Sequence, residues 1–160
     1  QLFLDNECKD AMTIQGFATQ LSLTLEDLLK GNKPNALTGV SNIVIENLKP
    51  IPLTERPIHC TDIKKRTWHV NDAIDGWKKE DGLSVINQVE FNVSKRFQAL
   101  WDEAYPNWKN DEKLQQHYTE LVVALNSNPS QKDIEKALER IGPECQLSIA
   151  DISNCQLNFP

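Results

Sequence analysis

A long amphipathic pattern in the second half of the chain constrains its fold more than any other feature. After Asp81-Gly82, apolar residues recur at steps of four and three residues, up to Tyr105-Pro106. This spacing predicts one apolar stripe along a helix, which other elements must cover. The members of the stripe are Val85, Val89, Val93, Phe97, Leu100 and Trp101.

Two more helices are predicted after this one. Asn110 is the expected cap of the first, and its apolar residues are Leu114, Tyr118, Leu121, Val122 and Leu125. The second begins at a capping box formed by Ser130 and Asp133, and Gly142-Pro143 is expected to end it.

The first half of the chain is harder to interpret. Residues 17–25 alternate as a half-buried strand does, but Thr24 and Asp27 have the spacing of a capping box, so we predict a short helix over 25–30. A helix with Leu37, Val40, Val44 and Leu48 on one face should end before Pro50. Residues 49–57 contain three prolines and predict an extended connector.

A β-hairpin is predicted at about 66–79. The segment Thr67–Val70 favours a strand, Asp75-Gly76 supplies a turn, and Trp77 resumes the second strand. The predicted fold class is therefore α+β, mostly α: a helical bundle with one hairpin packed on it, compatible with a winged-helix-like arrangement. We expect a single domain over 1–160, with a poorly defined segment at 1–35, a helical domain with the hairpin at 36–150, and a tail at 151–160. The weak alternation of residues 146–160 predicts an added edge strand.

Composition limits the classes of function. The chain has 160 residues, a net charge of −6 and 39% hydrophobic residues, which suits one globular domain. No apolar run approaches the roughly 20 residues that cross a membrane. Because the chain begins at Gln1 and its one Met is Met12, we expect a fragment of a longer protein.

The four cysteines are scattered and include no CxxC pair, so neither a metal site nor a cofactor is predicted. Reduced thiols in a reducing compartment are expected, with a Cys145–Cys155 disulfide as the alternative.

Cys60 is the one candidate nucleophile, because His59 adjoins it. Neighbours in a strand point to opposite faces, so His59 is badly placed to activate the thiol. We therefore expect a small buried thiol beside a partly exposed histidine. Since the common catalytic motifs are also missing from the sequence, we predict that the protein is not an enzyme.

A basic cluster around the hairpin suggests an alternative function. Residues 55–79 carry six positive and four negative side chains within an acidic chain. A winged-helix-like domain would contact nucleic-acid phosphates with such a hairpin, but no predicted helix has a basic outer face. The residues of this alternative interface are Lys64, Lys65, Arg66, Lys78 and Lys79.

The four tryptophans are divided between core and surface. Trp68 and Val70 lie across the hairpin from Trp77, and Trp101 continues the helical stripe, so these tryptophans are expected in the core. Trp108 follows a proline loop and, with His59, is the expected interaction surface.

The segment Arg56–Lys64, RPIHCTDIK, is followed by a short strand ending in Asp72 and then by Trp77. This pattern resembles an uncharacterised domain in proteins of nucleocytoplasmic large DNA viruses, where it often follows zinc-finger or coiled-coil regions. The resemblance covers roughly residues 39–150 and departs from the usual pattern at Arg66 and His69. It implies a viral source and carries over no catalytic residues.

These observations predict a non-enzymatic interaction module of a large DNA virus protein. It would act through protein–protein contacts or self-association, in the cytoplasm or virus factory of the infected cell or in the virion. Nucleic-acid binding through the basic hairpin is the alternative.

Overall fold

The structure, a computed structural model, describes residues 2–30, 37–126 and 128–147. The first half of the chain forms four helices before the sheet. These are α1 (Leu2–Glu7), α2 (Ile14–Thr19), α3 (Leu25–Lys30) and α4 (Leu37–Leu48), and a 3-10 turn at Leu53–Glu55 follows them. The helices predicted at 25–30 and around Leu37–Leu48 are confirmed.

The strand-like alternation of residues 17–25 does not correspond to a strand. Phe17 lies in α2, whose first turn is capped by the Thr13 hydroxyl as it accepts a hydrogen bond from Gly16 N at 3.0 Å. Leu21 and Leu23 are buried, so the alternation reflects burial in an irregular segment. Residues 2–30, which belong to the segment expected to be poorly defined, therefore contribute three helices and core side chains.

The predicted hairpin is confirmed, and a third strand extends it. Strands β1 (Ile58–Asp62), β2 (Thr67–Asp72) and β3 (Gly76–Glu80) form an antiparallel sheet in the order β1-β2-β3. Cys60 pairs with Trp68 across β1 and β2, and Trp68 pairs with Glu80 across β2 and β3.

Three longer helices follow the sheet: α5 (Leu83–Ala104), α6 (Glu112–Asn126) and α7 (Gln131–Cys145). The stripe predicted for α5 is buried from Val85 to Trp101, except that Leu100 is half-buried. With 62% helix and one small antiparallel sheet, the fold is α+β and mostly α, as predicted.

The capping predictions are mostly confirmed. Thr24 and Asp27 exchange side-chain bonds to backbone amides at 2.8 and 3.2 Å, and Ser130 Oγ accepts from Asp133 N at 3.1 Å. The prediction that Asn110 caps α6 was wrong by one residue, because the Asp111 carboxylate accepts from the first amides of that helix.

The predicted end of α7 at Gly142-Pro143 was also wrong, since the helix runs to Cys145. Pro143 removes one backbone donor but sits in the last turn, where a single missing bond is tolerated. Arg56 ties this turn to the rest of the protein. Its Nη1 donates to Glu144 O at 2.6 Å, and its Nε donates to Ile51 O at 2.9 Å.

The sheet is covered on both faces. On one face, Ile58, Cys60, Trp68 and Val70 join the main core with the helices. On the other, a smaller cluster of Phe3, Leu4, Cys8 and Leu147 packs with Trp77. Trp77, which was expected in the core, packs against this smaller cluster and is partly buried, because it pairs with Asn71 on the face opposite Trp68.

The edge strand expected over 146–160 lies mostly outside the described ranges, and within them Gln146 forms one parallel bridge with Cys60. The alternative Cys145–Cys155 disulfide also involves a residue outside those ranges. Among the described residues, Cys60 and Cys145 are free thiols, and Cys8 is buried. No helix in the described part of the chain is long and apolar enough to cross a membrane.

Two glycines with positive φ give a matched test of packing beside the sheet. Gly76 has φ of 68° with open space around it, whereas Gly82 has φ of 91° and lies against Leu138 and Trp68. Gly76→Ala should cost about 1 kcal/mol of backbone strain. Gly82→Ala should cost about 1–3 kcal/mol more, because its methyl group meets both side chains. Urea denaturation of the two variants measures this difference, and equal losses would contradict the described packing.

Candidate functional site

Cys60 lacks the environment of a catalytic thiol. It is fully buried on the core face of β1, and burial raises the pKa of its thiol. His59 projects to the opposite face of the sheet, as the alternation of a strand requires. The expected buried thiol is confirmed, and the two neighbours do not form a nucleophile–base pair.

His59 is not on the surface. The expectation that it is partly exposed and part of an interaction surface was wrong, because its exposed fraction is 0%. The side chains that bury His59 belong to Trp77 and Cys8, which are distant from it in the sequence. The ring stacks on Trp77 with centroids 5.5 Å apart, and its Nε2 lies 3.8 Å from Cys8 Sγ.

The buried imidazole of His59 is held in its neutral form. Its Nδ1 has no hydrogen-bond partner among the described residues. Burial lowers the pKa of His59 to about 4, and the charges of Arg56 and His69 act in the same direction. Within the described residues, no three His, Cys, Asp or Glu side chains are placed to hold a metal ion.

The basic residues of the hairpin do not form one free patch. Arg66 Nη1 lies 2.7 Å from Glu135 Oε1, and Lys78 Nζ lies 4.0 Å from carboxylate oxygens of three acidic residues. Lys79 is the neighbour of Lys78 in β3 and therefore points to the other face of the sheet. The ammonium groups of Lys64, Lys65 and Lys79 have no ion pair within the described ranges.

Trp108, the other expected surface residue, is half-buried in an aromatic cluster at the end of α5. It stacks on Tyr118 with centroids 4.4 Å apart, and its Nε1 donates to Asp102 Oδ1 at 2.9 Å. Trp101 is buried in the same cluster. Because one face of Trp108 is occupied by Tyr118, this residue has a structural role in addition to its partial exposure.

The tip of the hairpin carries an exposed side chain that sequence reasoning missed. Ile74 is 92% exposed. The turn that holds it is fixed by Asp72, whose Oδ2 accepts from the amides of Asp75 and Ile74 at 3.0 Å each and whose Oδ1 accepts from Gln15 at 2.8 Å. These bonds lower the pKa of Asp72 to about 2.

A groove bounded by α5, the end of α6 and the first turns of α7 is a feature that the sequence did not reveal. Two adjoining cavities meet at Ile134, and the larger has a volume of about 440 Å³. We call this the α5–α7 groove. The residues that define it are Leu83, Asn87, Glu90, Phe91, Leu125 and Ile134.

The α5–α7 groove combines exposed apolar side chains with negative charge. Phe91 is 66% exposed and Leu83 is 38% exposed. Glu90 is half-buried, and burial raises its pKa. It has no hydrogen-bond or ion-pair partner within the part of the chain that the structure describes. Leu83 and Phe91 lie outside the buried apolar stripe of α5. Apolar residues outside such a stripe are the sequence feature that could have indicated the α5–α7 groove.

A comparison with protein-family models, curated proteins and solved structures found no match to this chain. The resemblance of Arg56–Lys64 to the viral domain therefore stays a prediction.

Acid sensitivity follows from the burial of His59. In the unfolded chain its imidazole takes up a proton near the ordinary pKa of 6.5, but in the folded protein it does so only at about 4. Between these values only the unfolded state binds the proton. The free energy of unfolding should therefore fall by about 3 kcal/mol as the pH is lowered through this window.

Urea denaturation between pH 7 and pH 4 measures this loss. In a His59→Leu variant, the fall in the free energy of unfolding between pH 7 and pH 4 should be smaller. A part should remain, because burial also lowers the pKa of His69. An unchanged pH dependence in His59→Leu would show that another group is responsible.

Proposed function

We propose that this chain is a non-enzymatic interaction module that binds a partner protein at the α5–α7 groove. The observation that carries the proposal is the exposure of Phe91, a large aromatic side chain that is 66% exposed at the edge of the groove. Aromatic side chains are enriched at the centres of protein interfaces, and their exposure in water is unfavourable without a partner.

The buried thiols and imidazole support a role without catalysis. A nucleophile needs access to substrate and a base within hydrogen-bond reach. Cys60 and His59 have neither, because both are fully buried and they project from opposite faces of β1. Burial also raises the pKa of the Cys60 and Cys145 thiols, which favours their unreactive protonated form.

Charge favours a protein partner over nucleic acid. The cavities of the groove are lined by three carboxylates, those of Asp81, Glu90 and Glu135, and by one guanidinium, that of Arg66. This negative excess repels phosphate groups. At the hairpin, Arg66 and Lys78 are already engaged by carboxylates, so the alternative of nucleic-acid binding has less support.

The viral source of the module rests on the resemblance of Arg56–Lys64 alone. In this proposal the residues of that pattern maintain the fold: Arg56 tethers the last turn of α7, and His59 and Cys60 fill the two faces of the sheet. The free thiols of Cys60 and Cys145 are compatible with the reducing compartment expected for it.

Site-specific photo-crosslinking tests the proposal. A benzophenone amino acid is placed at position 91 of the full chain and irradiated in an extract of the source cells. We expect a discrete protein adduct that excess wild-type chain removes and that excess Phe91→Ser chain does not remove. The matched control is position 123, since Val123 is 63% exposed on α6 and does not line the groove.

Three results would contradict the proposal. The first is an adduct of equal strength at positions 91 and 123, and the second is an adduct with nucleic acid only. The third is an adduct with a second copy of this chain, which would indicate self-association instead.

A further inference from the structure

We infer that the segment bound in the α5–α7 groove is a basic amphipathic helix of the partner protein, with apolar side chains on one face and Lys or Arg beside them. This inference rests on the proposed function and adds the chemistry of the partner. It follows from three properties of the groove: its length, its apolar side chains and its uncompensated negative charge.

The length and walls of the groove suit a helix. Its lining residues on α5 extend from Leu83 to Ser94, which corresponds to about 17 Å or three helical turns. Beside Leu83 the opposite wall is formed by α7, where Gln131, Ile134 and Leu138 recur at helical spacing. Beside Phe91 it is formed by Ile134, by Leu125 and Asn126 at the end of α6, and by Asn128 and Pro129. A helix laid along α5 would pack its side chains between α5 and these residues.

Apolar anchors are distributed along this length. Leu83 lies near one end and Phe91 is two turns further along α5, while Leu125 and Ile134 are half-buried on the other side. An amphipathic helix places apolar side chains at i, i+4 and i+7, which matches anchors separated by one or two turns. Burial of Phe91 would then supply the largest apolar contribution to binding.

The negative charge selects a basic segment. Glu135 is already paired with Arg66 at 2.7 Å, and Asp81 accepts from the amide of Leu83 at 3.0 Å. Glu90 lies half-buried beside Phe91 with no such partner among the described residues. Burying the Glu90 carboxylate further under an uncharged helix is unfavourable. A Lys or Arg of the bound helix would form an ion pair with this carboxylate.

The negative charge of the groove also argues against a second copy of this chain as the bound molecule. A second copy of this chain carries a net charge of −6 and would add repulsion. The favoured occupant is therefore a segment of different composition.

Two synthetic peptides test the inference. Both have about 18 residues and the same leucine positions for a helical face, and they differ only in carrying Lys or Glu on the flanks. Each is titrated into the isotope-labelled chain while amide chemical shifts are followed by NMR. We expect the Lys peptide to bind at least about tenfold more tightly at low salt, and to lose much of this advantage at high salt.

The shifts of the bound state should locate the site, with the largest changes at residues 83–94 and around Ile134. Glu90→Gln should weaken binding of the Lys peptide by about fivefold and should strengthen binding of the Glu peptide, because it removes a repelling charge. Phe91→Ser should weaken both peptides. Glu103→Gln, an exposed carboxylate on α5 outside the groove, is the matched control and should change nothing.

Equal affinity for the two peptides would overturn the inference. So would shifts centred on Lys64 and Lys65, which do not line the groove, or binding that Glu90→Gln and Phe91→Ser leave intact. Crosslinking at position 91 can identify a partner protein even though the Lys peptide does not bind. In that case the inferred basic helix is wrong, but the proposed protein-binding function is retained. If position 91 gives no protein adduct, the proposed function itself fails.

Discussion

Burial of the sheet on both faces is the constraint on which the rest of the structure depends. A three-stranded antiparallel sheet with one open face would alternate polar and apolar residues, but here His59 and Cys60 are both fully buried. The helices cover one face, and the segment containing α1 covers the other. This second cover keeps His59 neutral, and it places the backbone carbonyl of Cys8 where the Trp77 indole can donate to it.

The helices of the second half were predictable because their signals are local. The stripe from Val85 to Trp101 and the capping residues Thr24 and Ser130 act within a few positions of themselves. Reliance on local patterns also explains why the sequence did not predict α2 and predicted the end of α7 too early. Helix α2 has only six residues, too few for a periodic pattern, and tertiary packing around Phe17 stabilises it. Pro143 predicts a helix end, but one lost bond in the last turn of α7 does not outweigh the packing there.

The candidate site was less predictable than the fold, for a geometric reason. The burial of His59 depends on Cys8, which lies 51 positions earlier, and no pattern near residue 59 contains that information. The α5–α7 groove similarly exists only after two helices have packed. Its residues are individually unremarkable asparagine, glutamate and apolar side chains. By contrast, the conspicuous residues of the sequence, namely the tryptophans, Cys60 and the basic hairpin, largely maintain the fold.

The tether at Arg56 has a consequence for how this protein reaches its folded state. Its guanidinium donates to a carbonyl 88 positions later, and Leu147 N donates to Cys60 O at 3.0 Å. The strands are therefore synthesised long before the residues that complete their apolar face. Until α7 emerges from the ribosome, β1 lacks the cover that this helix supplies, and contacts of such long sequence separation form late. We expect the domain to acquire its final packing after synthesis of α7 rather than strand by strand during translation.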